Sequence, residues 1–383
     1  MKSLQLILAN PRYLGPALVF ASLNVLFGTW AIYIPLVKEN LQIDNASLGF
    51  AIFFLALGTF TIFPIASKII NKVGVGRSTW MGVISICITA LLPLLVDSYY
   101  ALMPCLFLFG AANGFTDISM NTLVTEIEKE DHKKFMSAAH GFFSLGGVLA
   151  GLGSFLIPVI NNPALHMGLA ATFVIVINYI FHKNYRSIKA APIEKKPFSF
   201  RNFQPLLILG LVSFIIMGSE GGVIDWSGLY LKEVSMAPEQ LWGAGFLGFS
   251  ITMTLGRFLG DGISLRIGSV RIVGLGALLA IVGYVLVLTT SMNLAILGFG
   301  MVGLGLSVII PELFRIGGNI NGVESSQGIS FIAGTGYLGF LSGPVVLGFL
   351  AESASLKLSF ATLLGCAIVV LGATFVLGRK KAL

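Results

Sequence analysis

Charge is scarce in this chain. Only 11% of its 383 residues are Asp, Glu, Lys or Arg, against about 25% in soluble globular chains. A water-facing surface needs charge however large the core beneath it, so the deficit excludes an ordinary soluble domain. Cysteine is scarce too. Cys87, Cys105 and Cys366 stand alone inside apolar runs, at no metal-ligand spacing and in no disulfide framework. They read as small core residues. The four histidines, His132, His140, His166 and His182, are scattered. Neither a metal cluster nor a paired nucleophile and base is evident, so the chain does not read as an enzyme and implies no cofactor.

What the chain has instead is apolar sequence: 56% hydrophobic residues and a mean hydropathy of +0.91. The apolar runs are about 20 residues long, enough to cross ~30 Å of hydrocarbon. Lipid offers the backbone no hydrogen-bond partner, so each run must be helical. Twelve spans are predicted, at roughly 14–36, 46–68, 78–96, 100–124, 137–160, 164–181, 205–231, 240–262, 270–289, 293–316, 326–350 and 356–378. Met1 to Asn10 is short and is followed by Arg12 and a full-length span, which does not read as a cleavable signal peptide. The net charge of +7 would suit nucleic acid, but the bases sit in short loops between spans, so none is expected as a partner.

The longest polar stretch runs from His182 to Arg201 and carries one acid, Glu194, among its bases. It separates six spans from six. The expected architecture is an all-α membrane protein: a six-helix bundle over 1–181, a basic linker over 182–204 and a second six-helix bundle over 205–383. If the N-terminus lies in the cytoplasm, 21 of the Lys and Arg residues fall on that side. Only Lys38, Lys232 and Lys357 fall on the other. That bias puts both termini and the linker in the cytoplasm. The halves also repeat at an offset of 194 residues. Lys38-Glu39 matches Lys232-Glu233, Gly28 matches Gly222, Gly49 matches Gly243, and Lys72-x-Gly74-x-x-Arg77 matches Arg266-x-Gly268-x-x-Arg271. Six is even, so both copies run the same way through the membrane, as a parallel repeat.

Twelve spans, a 6+6 repeat and a basic central loop resemble the major facilitator superfamily over the whole chain. The superfamily's loop motif, roughly Gly-x-x-x-Asp-Arg-x-Gly-x-Arg, follows the second and eighth spans. The first copy is worn: Ser67, Asn71, Lys72, Gly74 and Arg77 occupy it, and its acid is missing. The second reads Gly256-Arg257-x-x-Gly260-Asp261, then Arg266-x-Gly268-x-x-Arg271. A tight turn with releasable charge pairs would close an inner gate, and Arg257 and Asp261 share a helix face at i, i+4. The bland alternative is positive-inside anchoring. Within the superfamily the chain resembles the YbjJ-type branch, a relative of the fucose permease group. The matching residues are Gly110-x-x-Asn113-Gly114-x-x-Asp117-x-x-Met120-Asn121 with Glu126 and Glu128, His140-x-x-x-Ser144-x-Gly146-Gly147, and Glu220-Gly221 with Asp225-Trp226-Ser227.

The residues themselves point to a site. Asn113, Asp117 and Asn121 line one helical stripe at i, i+4, i+8. A carboxylate in hydrocarbon costs several kcal/mol unless it faces a cavity or a partner. Asp117 therefore reads as a binding or proton-coupling group, or as a packing hydrogen bond. His140, Ser144, Gly147 and Gly151 form a similar stripe on the fifth span. Gly218, Gly221 and Gly222 around Glu220 predict a hinge in the seventh span, because each glycine weakens a helix by about 1 kcal/mol. A hinge would let Glu220 and Asp225 reach one cavity. Trp226 suits either stacking on a solute or an interfacial aromatic belt. Asn24 and Trp30 are weaker candidates of the same kind. Gly334-Thr335-Gly336-Tyr337-Leu338-Gly339 fits a dinucleotide pattern but lies in an apolar span, where close packing explains it better. The run Glu128 to Lys134 reads as a solvated loop rather than a metal site.

The resemblance implies a transporter working by alternating access, with two bundles rocking around a central cavity in a bacterial cytoplasmic membrane. The expected partners are a small sugar-like solute, protons and the lipid bilayer, with the chain monomeric. The competing readings are an exporter of amphipathic drugs and a non-transporting receptor.

Overall fold

A computed structural model describes residues 2–189, 204, 206–320, 323 and 325–380. Residues 190–203, most of the expected linker, lie outside the described residues. All regular structure among the described residues is helical. In the first half it comprises α1 (Lys2–Ala9), α2 (Pro11–Asn40), α3 (Asn45–Val73), α4 (Val75–Thr89), α5 (Tyr99–Asp131), α6 (Met136–Gly153), α7 (Ile157–Ile160) and α8 (Pro163–Phe181). The second half holds α9 (Leu207–Glu233), α10 (Ala244–Ile267), α11 (Ser269–Leu288), α12 (Met292–Leu306), α13 (Ile309–Gly317), α14 (Ser325–Ser353) and α15 (Leu356–Lys380).

Eleven of the described helices, some with short continuations, are long and apolar enough to cross a membrane. The eighth predicted span is present as α10, a helix of 24 residues, but Arg257, Asp261 and Arg266 keep it out of that set. Three spans are less regular than expected. A 3-10 turn at Leu92–Leu94 follows α4, a 3-10 turn and the four-residue α7 follow α6, and the tenth span divides into α12 and α13. The starts of α2 and α8 follow a common rule. Asn10 and Asn162 accept backbone N–H bonds from Arg12 and Leu165, and a proline that needs no partner follows each.

The described residues divide into two compact units. One takes residues 1–43 and 51–194, and the other 44–50 and 195–383. Helix partners recur between them. In the first unit α2 packs on α6 and α8, and α4 on α5. In the second, α9 packs on α14 and α15, and α11 on α12. In the first unit Thr59 of α3 donates to the Gly110 carbonyl of α5 at 2.9 Å. In the second, Thr252 of α10 donates to the Gly300 carbonyl of α12 at 2.6 Å. Both pairs join a unit's second and fourth spans. Each unit also turns large apolar side chains outward, such as Leu169 and Phe173 in one and Val285 and Leu297 in the other. That is what a lipid-facing wall requires.

Glycine sets the closest approaches. A Cβ at Gly146 would fall on the Ala21 carbonyl oxygen of α2, and one at Gly339 on the Phe214 carbonyl oxygen of α9. Close backbone contact of this kind substitutes for the hydrophobic effect, which does not drive helices together in lipid.

Candidate functional site

On α5, Asn113, Asp117 and Asn121 are all partly exposed. The Asn121 amide donates to the Asp117 carboxylate at 3.1 Å and to its backbone carbonyl at 2.9 Å. Helical spacing brings the pair together, and the amide offsets part of the cost of the acid. On α6, Ser144 is buried, with its hydroxyl 3.5 Å from the His140 carbonyl. His140 meets Phe20 of α2 edge-on at 4.9 Å. The Asn24 amide, one turn along α2, donates to the Phe143 carbonyl at 2.9 Å, while its own carbonyl oxygen is buried without a partner. Trp30 is fully buried, and its indole N–H has no partner.

The second unit departs from expectation at α9. The helix runs unbroken through Gly218, Gly221 and Gly222, so there is no hinge. The glycines serve packing instead: Gly218 faces Gly339, Gly221 faces Phe340, and Gly222 faces Leu347 and Leu363. Packing against α14 and α15 outweighs their low helix propensity. On the continuous helix Glu220 and Asp225 diverge. Glu220 meets Arg257 of α10, guanidinium to carboxylate, at 3.3 Å. Asp225 is 2% exposed, and its Oδ1 has no hydrogen-bond partner. Trp226 is fully buried beside Gly348 with its indole N–H unpartnered.

The loop motif keeps its glycines for a physical reason. Gly74 has φ 95° and ψ 145°, and Gly268 has φ 88° and ψ 153°. Side chains are nearly excluded there. Lys72, Arg77, Arg266 and Arg271 are exposed around these turns. The Asp261 side chain lies outside the described residues, and Arg257 is described in its contact with Glu220. The first turn after α8 docks on the first copy of the motif. Gly76 donates its backbone N–H to the Ile188 carbonyl at 3.0 Å, and Tyr185 is buried against Gly15 and Gly76.

Sequence reasoning passed over several polar residues. Glu312 on α13 is 2% exposed. One of its oxygens accepts from Arg315 at 3.0 Å, the other has no partner, and Arg315 also donates to Ser264. Its i, i+3 spacing to Arg315 was the available signal. Tyr33 and His166 share a buried hydrogen bond of 2.9 Å, and Asn178 donates to Ser22 at 2.7 Å. Arg12 holds Asp131 through two nitrogens, at 2.8 and 3.1 Å, and Glu130 at 2.5 Å. Glu128 accepts the first backbone N–H groups of α6 at 2.5 and 2.8 Å. The mixed-charge run is thus a set of ties. Among the described residues no group of three or more His, Cys, Asp or Glu could hold a metal.

Known proteins agree with this architecture. The sequence profile of the Major Facilitator Superfamily matches residues 17–314. An uncharacterized MFS-type transporter of Yersinia pestis is 30% identical over 345 residues, covering 89% of this chain and 88% of that protein. Membrane protein MosC of Rhizobium meliloti is 27% identical, covering 94% of this chain and 88% of its own length. Among solved structures, the nucleoside transporter NupG aligns with a TM-score of 0.73 at 14% identity, over 96% of this chain and 98% of that one. A bacterial homolog of the human lysosomal transporter Spinster, inward-facing and occupied, aligns with a TM-score of 0.72 at 13% identity, over 96% of each chain. At such identities the likeness is one of fold. The matched profile spans most of the sequence and the Yersinia relative nearly all of it, so this multi-pass membrane protein belongs to the major facilitator superfamily and is a transporter, not an enzyme.

Proposed function

We propose that the chain is a secondary active transporter that moves a small, polar, sugar-like solute across the bacterial cytoplasmic membrane by alternating access, coupled to protons. One observation carries this reading. Asp225 is buried within a membrane-spanning helix, and one of its carboxylate oxygens has no partner. An intramembrane acid kept at that cost is a functional group by default. Asp117, with its Asn121 partner, and Glu220 are the other acids able to alternate between charged and neutral forms. Asn24, Asn113, His140 and Ser144 supply hydrogen bonds to the solute, and the unpartnered indole N–H groups of Trp30 and Trp226, both fully buried, make them further candidates. Lys72, Gly74, Arg77, Arg257, Asp261, Arg266, Gly268 and Arg271 serve the gate. Both termini and the linker lie in the cytoplasm, and the chain works as a monomer.

The sugar-like preference draws on the polar character of these residues and on a structural neighbour described as a nucleoside transporter. Membership of the branch related to the fucose permease group rests on the sequence segments around Asp117, His140 and Glu220. A thermal-shift screen of the purified protein against sugars, nucleosides, organic acids and cationic dyes tests the solute class, because a ligand of the folded state raises its apparent stability. Stabilisation by sugars or nucleosides supports the proposal. Stabilisation by dyes alone supports a drug exporter. With a solute in hand, Asp117→Asn and Glu220→Gln are expected to abolish uphill uptake and leave exchange partly intact. Equal loss of both modes in folded protein would contradict coupling.

A further inference from the structure

Six bases gather where α3 gives way to α4. Lys68 and Lys72 end α3, Arg77 opens α4, and Lys183, Arg186 and Lys189 follow α8. All six are exposed. The turn after α8 is held in place against the Gly74 turn. Gly76 donates its backbone N–H to the Ile188 carbonyl at 3.0 Å, and a Cβ at Gly76 would fall on the Tyr185 carbonyl oxygen. The Lys189 side chain lies 3.7 Å from where a Cβ at Gly74 would stand. Close backbone contact therefore brings two sets of like charges together, and such a gathering repels itself unless an anion offsets it.

The neighbouring chain does not supply that anion. Residues 66–79 and 182–189 contain no Asp or Glu, and Asn71 stands at the acid position of the loop motif. The acids at the end of α5 are engaged elsewhere: Glu126 with Lys129, Glu128 with the start of α6, and Glu130 and Asp131 with Arg12. Among the described residues no ion pair includes any of the six bases. Glu194, the next acid along the chain, can offset at most one of them. What lies beneath the bases suits lipid. His182 stacks on Trp80 at 4.9 Å and on Tyr179 at 5.2 Å, and aromatic side chains at the end of a span sit at headgroup depth. Further into the spans, α4 and α8 pack together and turn Met81, Ile88, Phe173 and Val176 outward. Apolar wall, aromatic cluster and positive charge follow the order of acyl chain, interface and phosphate in a phospholipid.

We propose that this surface binds an anionic phospholipid, with its acyl chains along α4 and α8 and its phosphate among the six bases. Ammonium and guanidinium groups both make charge-assisted hydrogen bonds to phosphate oxygens. A zwitterionic lipid brings its own cation beside the phosphate and gains less. The lipid stands in for the acid that the first copy of the loop motif lacks, and it ties the turn after α8 to that copy. The second copy is built differently. Arg266 and Arg271 are exposed around Gly268, where a Cβ would meet nothing within 4 Å, so among the described residues no turn docks there to add further bases.

Lipid titration tests the site separately from transport. The purified full-length protein in detergent is titrated with cardiolipin, phosphatidylglycerol, phosphatidylcholine or glycerol 1-phosphate, and the bound molecules are counted by native mass spectrometry. The two anionic lipids should bind more tightly than phosphatidylcholine or glycerol 1-phosphate. Arg186→Gln/Lys189→Gln should bind them about 30-fold more weakly, the effect of two bases near an anionic surface. Arg266→Gln/Arg271→Gln removes the same charge from the second copy and should bind them as wild type does. Equal loss in both variants would reduce the site to general attraction and overturn the assignment. So would phosphatidylcholine binding as tight as that of the anionic lipids, or glycerol 1-phosphate binding as tight as that of lipid, which would mark a site for free phosphate. Hydrogen–deuterium exchange on the wild type locates the site without any substitution. Cardiolipin, compared with phosphatidylcholine, should protect residues 66–78 and 182–189 and leave 262–272 unchanged. No protection, or equal protection at both turns, would contradict the proposal.

Discussion

Gly74 and Gly268 adopt the same unusual backbone conformation 194 residues apart, with φ 95° and 88° and ψ 145° and 153°. Each ends a span and opens the next, after the second span of each half. A Cβ at Gly268 would meet nothing within 4 Å, so Gly268→Ala would report backbone strain alone. Its expected cost is about 1–3 kcal/mol, read as a lower thermal midpoint. Gly74→Ala should cost about as much, because its Cβ would meet the Ile188 carbonyl and the Lys189 side chain only at ordinary contact distances of 3.5 and 3.7 Å.

The glycine run on α14 gives a contrast within a single helix. Gly334 has open space around it, whereas a side chain at Gly339 would strike the Phe214 backbone. Gly339→Val should therefore sharply reduce the yield of folded protein. Gly334→Val should express like wild type. Overpacking typically costs about 1–3 kcal/mol and more where backbone is the obstacle. Size-exclusion profiles of the two variants in detergent make the comparison, and equal profiles would remove the packing explanation of this motif.

Arg12 ties α2 to the end of α5 through its fork onto Asp131 and a third contact to Glu130. Arg12→Gln should lower the thermal midpoint modestly, in keeping with about 1 kcal/mol for a part-exposed, well-aligned pair. Arg12→Lys should recover only part of the loss, since an ammonium cannot make the paired contact. Raising the salt concentration should narrow the difference between wild type and Arg12→Gln.

Much of the architecture was legible because lipid removes alternatives. A long uncharged run in hydrocarbon has to be a helix, and the 194-residue offset showed which helices correspond. The eighth span was legible as well, despite the three charged residues that α10 carries. Legibility failed where tertiary packing overrode local preference. Gly218, Gly221 and Gly222 looked like a hinge from propensity alone, but Leu347, Leu363 and Phe340 fill the space they leave. Glu220 meets the Arg257 guanidinium from 37 positions away, and no spacing rule reaches that far. Glu312 was a plain oversight, since its pairing with Arg315 is local.

Asp225 separates a functional acid from a structural one. A carboxylate buried without full hydrogen bonding destabilises its surroundings, so Asp225→Asn should leave the thermal midpoint unchanged or raise it. An acid serving structure would lower it. The most direct measurement is uptake into proteoliposomes under an imposed proton gradient, using the solute that most stabilises the purified protein. Wild type should accumulate it above the external concentration, while Asp225→Asn should equilibrate and exchange it without accumulation. Accumulation by Asp225→Asn equal to wild type, or wild-type uptake indifferent to the gradient, would contradict the account.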